Sequence, residues 1–246
     1  MKPICIIPAR KGSKRIKNKN IKLFAGKPLI SYVIKIAKKS KLFSRIIVTT
    51  DSKKIANIAK NSGAEVPFIR DKKLSHDYAP ADGALLDCIH KINSANVKYH
   101  FFIYPGAPLI NSKDLIKAFK IIREKKADQL AAMSNYNVSP FAACKIKKNN
   151  IVTLCWPKKY AKIKSRRKGA SRKLANLIHD TGTFYIFRTK ALLIAKKREL
   201  AKGFYFFNRK KTYYYLLHKL KSVDINTIED FKFAEFLYKF NLCQHL

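Results

Sequence analysis

Short β-branched runs alternate with stretches of helical period through the first half of the chain. Ile4–Pro8 is such a run and ends at a proline, so it reads as a strand closing in a turn. Apolar residues at 29, 30, 33, 34, 36 and 37 make one stripe, which predicts a helix over Leu29–Lys39. Arg45–Thr50 reads as a buried strand closed by Asp51, Ser52–Ser62 as a helix ended by Gly63, and Glu65–Ile69 as a short strand. The series continues with a helix over Ala81–Asn93, a strand over Tyr99–Tyr104 stopped by Pro105, a helix over Lys113–Lys125 capped by Ser112, and a strand over Asp128–Met133. Strands alternating with helices need right-handed crossovers, which produce a mainly parallel sheet covered on both faces. The fold class expected is therefore α/β, in three α/β/α layers.

The second half is less regular. From about 138 to 178 the pattern is broken by Pro140 and Pro157, with a hairpin expected around Lys147–Asn150. Thr183–Arg188 predicts a strand, Thr189–Lys197 a helix and Lys221–Ile225 a last strand. Thr227–Phe240 predicts a closing helix with Thr227 as N-cap and Asp230 three residues on, an acidic form of the capping box. No repeat or low-complexity linker divides the chain, so 1–246 reads as one domain carrying an irregular insertion at about 138–178.

Composition narrows the class. With 47% hydrophobic residues the chain can bury a core, which excludes the disordered class. No run of 18 apolar residues occurs, which excludes a spanning helix. Met1-Lys2 leads straight into a strand without a signal-peptide pattern, so a cytoplasmic protein without a membrane partner is expected. Cys5, Cys88, Cys144, Cys155 and Cys243 lie far apart with no C-x-x-C pair, and read as reduced thiols rather than a structural metal site.

Charge is the outstanding feature: 53 Lys+Arg against 15 Asp+Glu give +38. The basic residues are mostly Lys, spread along the whole chain beside abundant Ile, Asn, Phe and Tyr, as compositional drift would leave them. No helix-turn-helix, zinc finger or RNA-binding signature accompanies them, so nucleic acid is not the partner expected. One segment resists that discount. Between Asp128 and Asp180 there is no acid and there are twelve bases, including Arg166, Arg167, Lys168, Arg172 and Lys173. Such a segment meets an anion or packs against a partner's acids.

In a parallel sheet, ligands sit outside the carboxyl ends of the strands. The first strand leads into Pro8-Ala9-Arg10-Lys11-Gly12-Ser13-Lys14-Arg15 and on to Lys19-Asn20. Backbone N–H groups with fixed cations are what a triphosphate requires, although neither the Walker A nor the G-x-G-x-x-G pattern is present. The other expected strand ends carry Thr50-Asp51, Arg70, Tyr104 to Leu109, His179-Asp180-Thr181-Gly182 and Asp224-Ile225-Asn226. Each alone is consistent with a turn or a helix cap, as Asp51 is at Ser52. Together they point to one shared pocket.

Ile6-Ile7-Pro8-Ala9-Arg10-Lys11-Gly12-Ser13-Lys14-Arg15-Ile16 through Lys19-Asn20-Ile21 resembles the signature of the cytidylyltransferases that activate acidic nine-carbon sugars, the acylneuraminate family. Pro67-Phe68-Ile69-Arg70, Leu74-Ser75-His76-Asp77, Tyr104-Pro105-x-Ala107-Pro108-Leu109, His179-Asp180-x-Gly182-x-Phe184-Tyr185 and Val223-Asp224-Ile225-x-Thr227-x-Glu229-Asp230 follow in the family's order, nearest to its pseudaminic acid branch. The resemblance implies a Rossmann-like nucleotide-diphospho-sugar transferase fold, with the 138–178 segment serving dimerisation. It also implies transfer of CMP from CTP to a nonulosonic acid, most nearly pseudaminic acid, with release of pyrophosphate. Arg10, Lys14 and Lys19 would be catalytic. Ala9, Arg10, Ser13, Lys14, Lys19, Asn20, Arg70 and Tyr104 would bind the nucleotide, and His179, Asp180 and Gly182 the sugar acid. Asp224 and Asn226 would hold Mg²⁺, and the enzyme would be a homodimer.

The chain departs from the family pattern at Lys11, where Gly is usual, at Gly106, where Thr is usual, and at Asn226, where a second metal-binding Asp is common. Pro140-Phe141-Ala142-Ala143 and Ala170-Ser171-Arg172-Lys173-Leu174 also differ from the pseudaminic branch. These positions bear on the sugar more than on the nucleotide. N-acetylneuraminic, legionaminic or keto-deoxyoctonic acid stays open as acceptor, as does an inactive or polyanion-binding paralogue that keeps the fold.

Overall fold

A computed structural model describes residues 1–79, 81–136, 138–146, 151–164, 177–197, 211–243 and 246. In chain order its elements are β1 (Ile4–Pro8), β2 (Leu23–Phe24), β3 (Lys27–Pro28), α1 (Leu29–Ser40), β4 (Arg45–Thr49), α2 (Lys53–Asn61), α3 (Ala81–Lys91), β5 (Tyr99–Ile103), α4 (Ser112–Glu124) and β6 (Gln129–Asn135). They continue with β7 (Cys144–Ile146), β8 (Val152–Leu154), α5 (Pro157–Lys164), β9 (Ile178–Arg188), α6 (Thr189–Lys197), β10 (Thr212–Leu216) and α7 (Ile228–Lys239).

The central sheet runs β10-β6-β9-β5-β1-β4, parallel at β10/β6, β5/β1 and β1/β4 and antiparallel on both sides of β9. Period-two alternation in β1 divides the core. Cys5 and Ile7 face Ile30, Val33 and Ile34 of α1, Ile55 of α2 and Leu115 of α4, whereas Ile4 and Ile6 face Leu85 and Ile89 of α3 and Leu192 of α6. The expected three layers are present. A third cluster packs Phe231, Ala234 and Leu237 of α7 against Phe24, Leu29 and Tyr32, anchoring the C-terminal helix beside the first loop. Among the described residues no helix is long and apolar enough to cross a membrane.

Several expected elements change. Glu65–Ile69 makes two isolated bridges, Ile47 to Glu65 and Thr50 to Ile69, rather than a strand, because Pro67 interrupts the ladder. The cap of α4 is Asn111, not Ser112; its side chain accepts from Asp114 N while Asp114 answers to the Asn111 N–H. Lys221–Ile225 is not a strand: a 3₁₀ turn over Lys219–Ser222 gives way to a non-helical stretch, and the edge strand is Thr212–Leu216. His179–Gly182 lies inside β9, not at a strand end. Thr227 and Asp230 do form the expected capping box on α7. Strands β7 and β8 pair as the expected hairpin, whose turn at 147–150 lies outside the described residues. Arg166, Arg167, Lys168, Arg172 and Lys173 lie outside them too.

Candidate functional site

The chain passes from β1 to β4 on one side and then to β5 on the other, so the order reverses at the carboxyl end of β1. An open cleft of about 420 Å3 lies there, reached by Arg10, Ser13, Lys14, Arg15, Lys19 and Asn20 of the first loop. Arg70, His76 and Asp77, then Tyr104 and Gly106, then Thr181, Gly182 and Tyr185, then Asp224 and Asn226 complete its wall.

Local hydrogen bonds shape the loop. Lys11 N–H donates to Asp51 Oδ1 at 2.8 Å and the Asn20 side chain donates to the Arg10 carbonyl at 2.9 Å, fixing the Arg10–Lys11 peptide and tying it to Asn20 at the loop's far end. Asp51 thus steadies the loop, while Ser52 is the N-cap of α2. Ala9 is fully buried and its N–H is taken by the Thr49 carbonyl at 3.0 Å, so that amide does not face the cleft as the sequence suggested.

Lys19 is half-buried and donates to the Ile225 carbonyl at 2.6 Å. Burial lowers its pKa from the ordinary lysine value, Asp224 opposes that, and Arg15 and Arg10 push it further down. It is therefore a cation held partly out of water without a carboxylate bonded to it. Gly106 stands beside it, where an added Cβ would lie 3.8 Å from Lys19 Nζ. Arg70 is buried, donating to Ser75 Oγ at 3.0 Å and to the Thr49 carbonyl at 3.4 Å; desolvation lowers its pKa, yet a guanidinium stays charged.

On the opposite wall, Gly182 has φ +60, a conformation that favours glycine, with nothing within 4 Å of an added Cβ. His179 and Asp180 are not part of the lining. The His179 ring lies 5.0 Å from that of Tyr136, while Asp180 accepts from Tyr185 Oη at 2.5 Å and from Gly182 N–H at 3.1 Å. Asp180 thus acts on the cleft through Tyr185 and Gly182. Burial, with Asp180 next, raises the pKa of Tyr185, and burial does the same at Tyr104, so both phenols remain protonated donors.

The strand geometry expected to align Asp224 and Asn226 is absent. Instead the Asn226 side-chain nitrogen donates to Asp224 Oδ2 at 2.5 Å. Among the described residues no three His, Cys, Asp or Glu side chains cluster in a way that could hold a metal. One carboxylate suits Mg²⁺ when phosphate oxygens and water supply the other ligands, so Asp224 fits the ion only in that shared form.

Sequence reasoning placed Arg10, Ser13, Lys14, Lys19, Asn20, Arg70, Tyr104, Gly182, Asp224 and Asn226, and the fold brings all of them to this cleft. It set Arg15 and Thr181 at the pocket without a role of their own, named Tyr185 only within the family motif, and did not foresee Asp77 bound to Arg10 and Lys14. Strand alternation from Thr181 through Thr183 is the signal that would have found Tyr185, which shares their face. Nothing in the sequence marks the pairing of Asp77 with residues more than sixty positions away.

Comparison with known proteins gives the family. The Cytidylyltransferase family pattern matches residues 4–244. A pseudaminic acid cytidylyltransferase of Campylobacter jejuni is 36% identical over 243 residues, spanning 98% of both chains. An N-acylneuraminate cytidylyltransferase of Escherichia coli is 28% identical, over 95% of this chain and 51% of that protein. Among solved structures, a CMP:2-keto-3-deoxy-manno-octonic acid synthetase complexed with CTP superposes with a TM-score of 0.72 at 16% identity, over 98% of this chain and all of the other. That likeness speaks for the fold. A basic loop after the first strand, a cleft at the point where the sheet order reverses, and a family match over nearly the whole length converge, and the chain belongs to the cytidylyltransferase family.

Proposed function

We propose that the protein transfers CMP from CTP to a nonulosonic acid, pseudaminic acid by preference, and releases pyrophosphate. The observation that carries this reading is the convergence of Arg10, Lys14 and Lys19 from one loop onto the cleft at the end of β1. The anomeric hydroxyl of the sugar acid attacks the α-phosphorus of CTP and gives up its proton to water, the P–O bond to the β-phosphate breaks, and pyrophosphate carries away the electron pair. Catalysis of this step is positioning plus charge neutralisation.

Arg10 and Lys14 would hold the β- and γ-phosphates, and Ser13 would add a donor. Lys19, already short of anionic compensation, would take the α-phosphate. Asn20, Arg70 and Tyr104 would hold ribose and base. Gly182 leaves room for the acceptor, and Tyr185, whose one O–H proton goes to Asp180, would accept from it. Asp224 would hold Mg²⁺ with the nucleotide's phosphates, and that ion would neutralise charge on phosphate oxygens when bound.

A homodimer joined through the segment around 138–178 belongs to the same reading. Val138, Ile146, Val152 and Trp156 are exposed there, apolar side chains that a second copy would cover. The five cysteines are free, in keeping with a reducing, cytoplasmic setting. A fully active monomer in light scattering would remove the dimer.

The acceptor is tested by pyrophosphate release from CTP alone and from CTP with each of a panel of sugar acids. Release only with pseudaminic acid is expected. Release with another acid would reassign the acceptor, and no release with any would make the chain an inactive paralogue.

A further inference from the structure

The cations of the first loop are not vacant. Asp77 Oδ1 accepts from Arg10 at 2.7 Å and Asp77 Oδ2 from Lys14 at 2.5 Å, so one carboxylate bridges both groups assigned to the phosphates. All three residues line the cleft. The peptide that follows Arg10 has other partners: Asp51 accepts from the Lys11 N–H and the Asn20 side chain donates to the Arg10 carbonyl, which leaves that peptide in place whatever Asp77 does.

Asp77 lies in a segment held mostly by bonds within itself. Backbone bonds between Asp71 and Ala79 are local: Leu74 N–H to Asp71, Ser75 N–H to Lys72 and Ala79 N–H to His76. The segment's fixed point is Arg70, whose N–H joins the Thr50 carbonyl and whose side chain reaches Ser75. Among the described residues, displacing Asp77 therefore breaks no sheet hydrogen bond. The bridge is also wet, with the Lys14 side chain 78% exposed, so it is weak enough to yield to a more highly charged competitor.

Resting on the proposed CTP reading, we propose that Asp77 is an internal stand-in for the nucleotide's phosphates: it occupies Arg10 and Lys14 in the free enzyme, and an incoming anion must displace it. The carboxylate sets a charge threshold. A triphosphate or pyrophosphate brings several negative oxygens and wins the two cations, whereas a ligand with no phosphate to spend there leaves Asp77 seated. Asp77 thereby acts as a specificity residue for phosphate number, separate from recognition of the base by the Arg70 side of the cleft.

The test is a double-mutant cycle read by calorimetric binding of CTP, inorganic pyrophosphate and cytidine. D77N is expected to tighten CTP and pyrophosphate about 3–10-fold, the scale of two exposed ion pairs, with cytidine unchanged and with the gain shrinking at high salt. In an R10A/K14A background D77N should change pyrophosphate affinity little, because the cations that Asp77 competes for are gone. A gain that persists there would show that only the long-range field of the carboxylate matters, and would overturn the proposal. So would weaker or unchanged CTP binding in D77N. D77A, which cannot donate or accept, guards against the Asn amide finding a new partner and should agree. R10A itself distinguishes the two layers. If R10A weakens CTP while D77N does not tighten it, the stand-in fails and the phosphate loop survives; if R10A leaves CTP affinity unchanged, both fail.

Discussion

Lys221 and Lys19 are two lysines withdrawn from water in different parts of the same molecule, and their surroundings differ in one respect. Lys221, 2% exposed, sits in a carboxylate cradle: its Nζ lies 3.1 and 3.0 Å from the two oxygens of Asp114 and 2.8 Å from the Leu246 oxygen. Tyr215 Oη donates to the same carboxylate at 2.9 Å. Lys19 has a backbone carbonyl and no bonded carboxylate; burial depresses its pKa, Asp224 opposes that from a distance, and Arg15 and Arg10 add to the depression. A buried charge that the fold compensates holds the fold together; one left under-compensated in a cleft is ready for an anion. His100 is a third case. It is fully buried between Ser94 and Thr189, at 3.0 and 2.8 Å, and burial pushes its pKa down to about 4, so it is kept as a neutral ring.

The largest effect expected of this comparison is on stability at Lys221. Lys221→Met leaves Asp114 buried without its cation and should lower unfolding free energy by about 3–5 kcal/mol, measured by urea denaturation. Lys19→Met should barely move the urea midpoint. If it destabilises the fold as much as Lys221→Met does, the contrast is gone.

The neutral His100 adds a pH signature. In the unfolded chain the ring binds a proton near pH 6.5, and in the folded protein only near pH 4. Stability should therefore be flat above about pH 6.5 and fall as pH drops toward 4, by up to about 3 kcal/mol from this group. His100→Asn should flatten that limb in a pH series of thermal melts. An unchanged slope would mean the acid sensitivity comes from elsewhere.

At Lys19 the effect should fall on turnover. Losing a charge-assisted bond to the α-phosphate should lower kcat/KM with CTP by about 2–3 kcal/mol, or roughly 30–150-fold, in Lys19→Met. In the wild type, CTP affinity should weaken as pH rises through the depressed Lys19 pKa, at a lower pH than an ordinary lysine would show. Lys19→Arg should move that limb upward, since a guanidinium does not titrate there.

The smallest effect concerns Asp224. Asn226→Asp replaces a donating amide with a second carboxylate, and the half-saturating Mg²⁺ concentration should fall when turnover is titrated with the ion. No change, together with an unaffected Asp224→Ala, would place the metal at other residues.

Much of this was legible in the residues themselves. Period-two and helical runs located the strands and helices of the first half, because those patterns follow from backbone geometry that every chain shares. The phosphate loop could be read for the same kind of reason: its groups are contiguous, and their position after the first strand follows from parallel-sheet topology. Thr227 and Asp230 identified the start of α7, since a cap is satisfied within four residues.

What the tertiary structure alone decided were pairings across long sequence separations. The chain does not show that Asp77 would neutralise Arg10 and Lys14, or that Asp114 would take Lys221. Nor does it show that β9 would extend back through His179, turning a supposed strand end into a strand interior with a register shift opposite. Local patterns record which conformation a segment can adopt. Which distant charge or strand edge meets it depends on how the layers close, a free-energy balance struck over the whole core that no single segment carries.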